Sequence, residues 1–329
     1  MPIRTIATDM KALTPLRGVA ALVVLIGHAG APFHGYLGVD LFFILSGFVL
    51  MYAHGTIDIG SWAAYRAFLK ARIARIYPVH LLVLLMLLPM AGSAGYSALG
   101  LAHSLLLTQG PWHAAAWNLG AWSISAEWHA YLIFPLLAAV IRTKSKPALG
   151  AVLAVCAGVL TGAILLAGSG NITNTPAVFL RCFPEFIAGM ILYRLQGSAW
   201  LGSNGVFAGA VAAIVACQVF HLPDPATILI LPLLLLCALR AGSVFNRVLN
   251  TGPLLYLGNI SYSIYMVQMA VEVGIEQLLP PMDAWTHGAV FVLGTFALAA
   301  PVSRWVEYPA RDWLRGVRFP WRNGQPEAA

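Results

Sequence analysis

Long apolar stretches follow one another along almost the whole chain, near 13–32, 36–54, 77–92, 97–108, 119–141, 147–168, 176–195, 204–220, 225–240, 254–279 and 286–304. Crossing a bilayer takes about 20 predominantly apolar residues, and in lipid every backbone polar group must find its partner within the protein. The pattern predicts an all-α polytopic membrane helix bundle. Segment 97–108 is too short to cross and is bounded by Gly95, Gly100 and Gly110, so it reads as a re-entrant or interfacial piece and about ten transmembrane helices are expected. Composition agrees. Charged residues are 9% of the chain, against about 25% in a soluble domain.

The net charge of +7 does not point to nucleic acid, because the basic residues punctuate the apolar segments instead of forming a patch. With ten spans and both termini cytoplasmic, every Lys and Arg except Arg181 falls on the inner side, including Arg4, Lys11, Arg142, Lys144, Lys146, Arg318 and Arg322. Counting 97–108 as a span would invert every later loop and place Arg142–Lys146 outside, against the positive-inside rule. The apolar run from Gly18 behind Arg4 and Lys11 resembles a signal peptide, but no convincing cleavage site precedes the next apolar segment, so a retained first helix is expected. The whole of 1–329 reads as a single domain with a short basic cytoplasmic tail over 309–329, and the 55–76 loop reads as an amphipathic helix on the inner surface. Cys156, Cys182, Cys217 and Cys237 stand singly in apolar runs, with neither a disulfide framework nor a zinc pattern. No metal cofactor is expected.

Ionisable residues inside such a bundle are costly and mark sites or paths. Arg17 and His28 are eleven residues apart in the first apolar stretch. That spacing returns to within about 20° of one helix face, about 16 Å along the axis. Arg17 then lies at the inner end of the first helix and His28 near its outer end. Arg72 and Arg75, one turn apart, reach a depth similar to that of Arg17, and a cluster of guanidinium groups suits a phosphate-bearing anion. His28, Asp40 and Glu127 are expected in the outer half of the membrane, where a carboxylate beside the imidazole would orient it as a base. An anion held inside and an acid–base site outside suit transfer of an activated group from a cytosolic phosphorylated donor to an external acceptor. The same residues suit a proton-coupled transporter of an anionic substrate, although the internal repeat many transporters show is absent from this sequence. Arg181 and Glu185, four apart, are expected to pair with each other.

The order of motifs also resembles the integral-membrane acyltransferase family three. The likeness rests on Leu16–His28 with its Arg-x10-His, Gly38–Phe48, Arg72–Pro78 with Arg-x-x-Arg, Trp122–Tyr131 with Trp-Ser-x-x-x-Glu, Arg181–Gly189, Gly258–Tyr265 and Glu307–Pro309. The resemblance implies O-acyl transfer from acyl-CoA, usually acetyl-CoA, to a hydroxyl of a glycan or secondary metabolite, in a bacterial-type inner membrane. It implies that Arg17 and His28 are essential and that Arg72 and Arg75 are essential or touch the donor. Glu127 and Asp40 are the residues expected to support His28. One departure stands out. After Ser-Tyr-x-x-Tyr the family often places a His, and this chain has Gln268.

Overall fold

The computed structural model describes residues 10–92, 96–112, 116–196 and 203–316. Arg4, Arg318 and Arg322, which enter the charge argument, lie outside the described residues, as do Gly95 and the tail beyond 316. The described chain is helical, with no strand among its elements. In order the helices are α1 Leu13–His28, α2 Leu37–His54, α3 Trp62–Leu87, α4 Ala98–Leu106, α5 Gln109–Trp112, α6 Trp122–Thr143, α7 Lys146–Ala167, α8 Val178–Leu195, α9 Asn204–Val219, α10 Asp224–Ile228, α11 Leu231–Leu239, α12 Val244–Leu249, α13 Gly252–Leu278, α14 Ala284–Val302 and α15 Tyr308–Arg315. Serines start many of them. Ser61, Ser97, Ser145, Ser203 and Ser243 each accept a bond from a first-turn N–H, satisfying donors that a helix start leaves open.

Among the described residues six helices are long and apolar enough to cross a membrane: Met10–His28, Leu37–His54, Trp62–Met90, Leu119–Thr143, Lys146–Ala167 and Ala284–Arg315. α8 and α13 are not among these six; α8 carries three charged residues, Arg181, Glu185 and Arg194, and α13 carries Gln268, Glu272 and Glu276. α4 has nine residues and ends at Leu107 in the left-handed region, φ 56°. At 1.5 Å per residue it spans about 14 Å, too little for a hydrocarbon core of about 30 Å.

Two expected boundaries are corrected. The surface helix of 55–76 and the span of 77–92 form one continuous rod, α3, with Pro78 inside it. Membrane helices tolerate such a proline. The rod's 26 residues reach about 39 Å, longer than a hydrocarbon core of about 30 Å, and carry Arg72 and Arg75 into the bundle. The stretch 225–240 is not one helix either. It breaks at Leu229–Ile230, ahead of Pro232 in the first turn of α11, where the ring cannot continue the preceding helix.

The centre is built from α1, α2, α8 and α13, with α2 on α8 and α1 on α13 as the most extensive pairs. Glycine permits the α2–α8 approach. A Cβ on Gly47 would collide with the Phe186 carbonyl, and one on Gly189 with the Ile44 carbonyl. Neither obstacle is a flexible side-chain end, so Gly47→Val is expected to force the helices apart at a cost of about 1–3 kcal/mol or more. A lowered apparent unfolding temperature in detergent, followed by tryptophan fluorescence, checks this; an unchanged value contradicts the close crossing. Beyond α14, one π-helical turn, Ser303–Glu307, leads into α15 and buries Glu307. At the opposite end of α2, Asp224 accepts from Tyr36 Oη at 2.7 Å and from the Gly170 N–H at 2.6 Å, and its Oδ1 stands 2.7 Å from His34 Nδ1. Burial pushes the Asp224 carboxyl up, but these bonds bring it net below the ordinary carboxylate range.

Candidate active site

Four helices turn polar faces toward one cavity beside α2. Arg72 and Arg75 share a face of α3, Glu127 and Tyr131 a face of α6, and Tyr262 and Tyr265 a face of α13, because residues three or four apart are neighbours on a helix. Arg17 of α1 joins them, and α2 contributes the apolar wall from Val39 to Leu50. The cavity measures ≈ 120 Å³. The α3 arginines lie level with Tyr131 and Tyr262: the Arg72 guanidinium is 6.0 Å from the Tyr131 ring centroid and that of Arg75 4.9 Å from the Tyr262 ring centroid. Toward the other end, Ser123 Oγ and Tyr265 Oη stand 2.6 Å apart, and Tyr265 donates to the Gly120 carbonyl at 2.7 Å.

The three arginines are not equivalent. Arg75 is ion-paired with Glu307, which also accepts from Ser263 Oγ at 2.6 Å, so its charge is already balanced. Among the described residues no carboxylate lies within 4.0 Å of the Arg17 or Arg72 guanidinium. Arg72 Nε is buried without a hydrogen-bond partner. Two cations thus face the cavity with donors to spare, an arrangement that attracts an anion.

His28 does not line this cavity. It closes α1, exposed, about 16 Å along the helix from Arg17. Its Nδ1 lies 3.2 Å from Gln268 Oε1, and Gln268 Nε2 donates to the Tyr265 carbonyl at 3.0 Å. Tyr265 therefore connects the two places: its side chain lines the cavity, and its carbonyl holds the residue that holds His28.

The expected support of His28 by a carboxylate is corrected. Asp40 is bound instead by Arg181, whose Nε and Nη2 each reach a carboxylate oxygen at 2.8 Å, with both side chains 0% exposed. This two-pronged geometry is the one a planar guanidinium makes best. The Arg181 guanidinium also lies 5.1 Å from the Trp122 ring centroid and donates to the Tyr36 carbonyl at 3.1 Å. Among the described residues its ion-pair partner is thus Asp40 and not Glu185. Glu127 lies in the arginine cavity beside Tyr131. Sequence reasoning assigned no role to Glu307 or Gln268. Their signals were a place in the closing motif for the first and the departure at 268 for the second. Among the described residues no group of three His, Cys, Asp or Glu side chains is placed to hold a metal ion.

The chain is thus a helical membrane protein with an arginine-lined cavity in its bundle and an exposed imidazole at the end of α1. The family model described as an acyltransferase domain matches residues 10–304, and the chain belongs to this acyltransferase family. It is similar to "Acyltransferase MdmB" of Streptomyces mycarofaciens, 28% identical over 323 residues, covering 82% of this chain and 80% of that protein. It is also similar to "Protein 2 in picA locus" of Rhizobium radiobacter, 47% identical over 77 residues, which is 22% of this chain and 40% of that protein's length. No solved structure matches the chain.

Proposed function

We propose that the protein is an O-acyltransferase of a bacterial-type inner membrane, with both termini cytoplasmic, carrying an acyl group, acetyl in the first instance, from cytosolic acyl-CoA to a hydroxyl of an extracytoplasmic glycan or a secondary metabolite. The observation that carries this reading is the cavity itself. It has two arginines with no ion-pair partner among the described residues, Arg17 and Arg72, toward one end and Tyr265, hydrogen-bonded to the residue that holds His28, toward the other. The phosphates of the donor meet Arg17 and Arg72, with Arg75 held in line by Glu307. A cavity of ≈ 120 Å³ suits a slender arm more than a whole nucleotide, so the nucleotide stays at the mouth and the thioester travels along α2.

At the His28 end, the imidazole takes the proton of the acceptor hydroxyl as its oxygen attacks the thioester carbonyl. The tetrahedral intermediate collapses by breaking the C–S bond, and the proton passes from the imidazolium to the departing thiolate of CoA. Acyl transfer first to His28 itself, and then to the acceptor, uses the same residues. Asp40 serves the site through Arg181, as a positioning pair that joins α2 to α8. Glu127 sits where it limits the positive charge around the donor.

Titrating acetyl-CoA onto the purified protein in nanodiscs tests the donor. Binding by wild type, weakened about 10–100-fold in Arg17→Gln and in Arg72→Gln, is the expected result, since a hydrogen bond to a charged group is worth about 1.5–3 kcal/mol. Absence of binding by wild type would return the site to the transporter reading, for which CoA has no purpose.

A further inference from the structure

Among the described residues the His28 ring has one hydrogen bond, between Nδ1 and Gln268 Oε1 at 3.2 Å. Which of the two atoms carries the hydrogen depends on which end of the Gln268 amide faces the ring. The other end of the amide decides that. It lies 3.0 Å from the Tyr265 carbonyl oxygen, and a carbonyl can only accept. The NH₂ group must therefore face Tyr265, which turns the amide oxygen toward His28. An amide oxygen has no proton to give, so Nδ1 carries the hydrogen and Nε2 is left with its lone pair. The arrangement is well held: Gln268 is 1% exposed on α13, whereas His28 is exposed at the end of α1. Nδ1 thus faces the bundle, and the opposite ring edge, with Nε2, is the one available to an incoming hydroxyl.

We propose that Gln268 is the positioning residue that holds His28 in its Nδ1–H tautomer, with Nε2 free to take the acceptor's proton. The proposal rests on the reading of His28 as the base. It assigns a purpose to the residue at which the chain departs from its resemblance, and it puts an uncharged amide where a carboxylate was expected. A Gln268 that only joined α13 to α1 would stabilise the fold but leave tautomer and pH profile untouched.

The test combines kinetics with a direct view of the ring. In ¹⁵N-histidine-labelled protein in nanodiscs, the signal that disappears in His28→Ala identifies His28. At a pH where the ring is neutral it is expected to show a protonated Nδ1 and a bare Nε2. Gln268→Met keeps the length and removes the acceptor; it is expected to mix the tautomers and lower kcat about 10–100-fold, as loss of a partner that orients an imidazole ligand does, with KM for acetyl-CoA unchanged. Gln268→Glu restores an acceptor. It is expected to recover most of kcat and to move the acid limb of the pH profile upward, because a carboxylate favours the imidazolium. A wild-type His28 signal with the proton on Nε2, or Gln268→Met with wild-type kcat, overturns the proposal. The spectrum needs no turnover, so it separates the two failures. The expected tautomer together with unimpaired transfer by His28→Ala would sink the base reading and leave the Gln268 contact standing. The spectrum of wild type and the kinetics of Gln268→Glu keep the proposal open to refutation even where Gln268→Met does not fold.

Discussion

His28→Ala is expected to bind acetyl-CoA as tightly as wild type and to lose about 10²–10⁴-fold in acceptor-dependent turnover, the usual contribution of a positioned general base. The split follows from the geometry. His28 stands about 16 Å along α1 from Arg17 and takes no part in lining the cavity. Its removal takes away the proton acceptor and leaves the cation cluster intact. The ring is exposed and, among the described residues, its one hydrogen bond runs to Gln268, so little packing is lost and the fold should survive. Quenching of intrinsic fluorescence by acetyl-CoA measures the first quantity and release of the CoA thiol the second. Equal loss of both would mean that His28 belongs to the donor site. Full turnover would remove it from the chemistry.

The second large effect is expected at Asp40. Asp40→Asn leaves the Arg181 guanidinium buried without its counter-charge, and breaking one side of a buried pair typically costs about 3–5 kcal/mol. The double variant Asp40→Leu with Arg181→Leu removes both charges and is expected to regain most of that stability, since apolar replacements of buried pairs are often neutral or better. Measured by thermal unfolding and turnover on the same preparations, the double variant discriminates between two roles for Asp40. A positioning pair predicts that activity returns with stability. A catalytic Asp40 predicts a stable protein that remains inactive.

Much of this was legible in the sequence, and the physical reason differs from place to place. The helical membrane class followed from apolar length alone. Arg17, Arg72 and Arg75 could be grouped because helix periodicity and the positive-inside rule set their face and depth without knowledge of neighbours. The partners were another matter. Asp40 and Arg181 are 141 residues apart in the chain, and His28 and Gln268 are 240 apart. Depth in the membrane puts such residues at one level but does not say which way each helix is turned. The local reading paired Arg181 with Glu185 by spacing, whereas α8 turns Arg181 against α2, where Asp40 offers a two-pronged contact. Proline was ambiguous for a related reason: Pro78 sits inside α3, yet Pro232 marks the end of continuity between α10 and α11.

The most direct measurement is release of the CoA thiol from acetyl-CoA by purified wild-type protein in nanodiscs, with and without a crude cell-envelope glycan fraction. The account predicts release that requires the acceptor and is accompanied by acetyl ester on the glycan. Acetyl-CoA that binds but is left intact with glycan fractions and hydroxyl-bearing metabolites alike would contradict it.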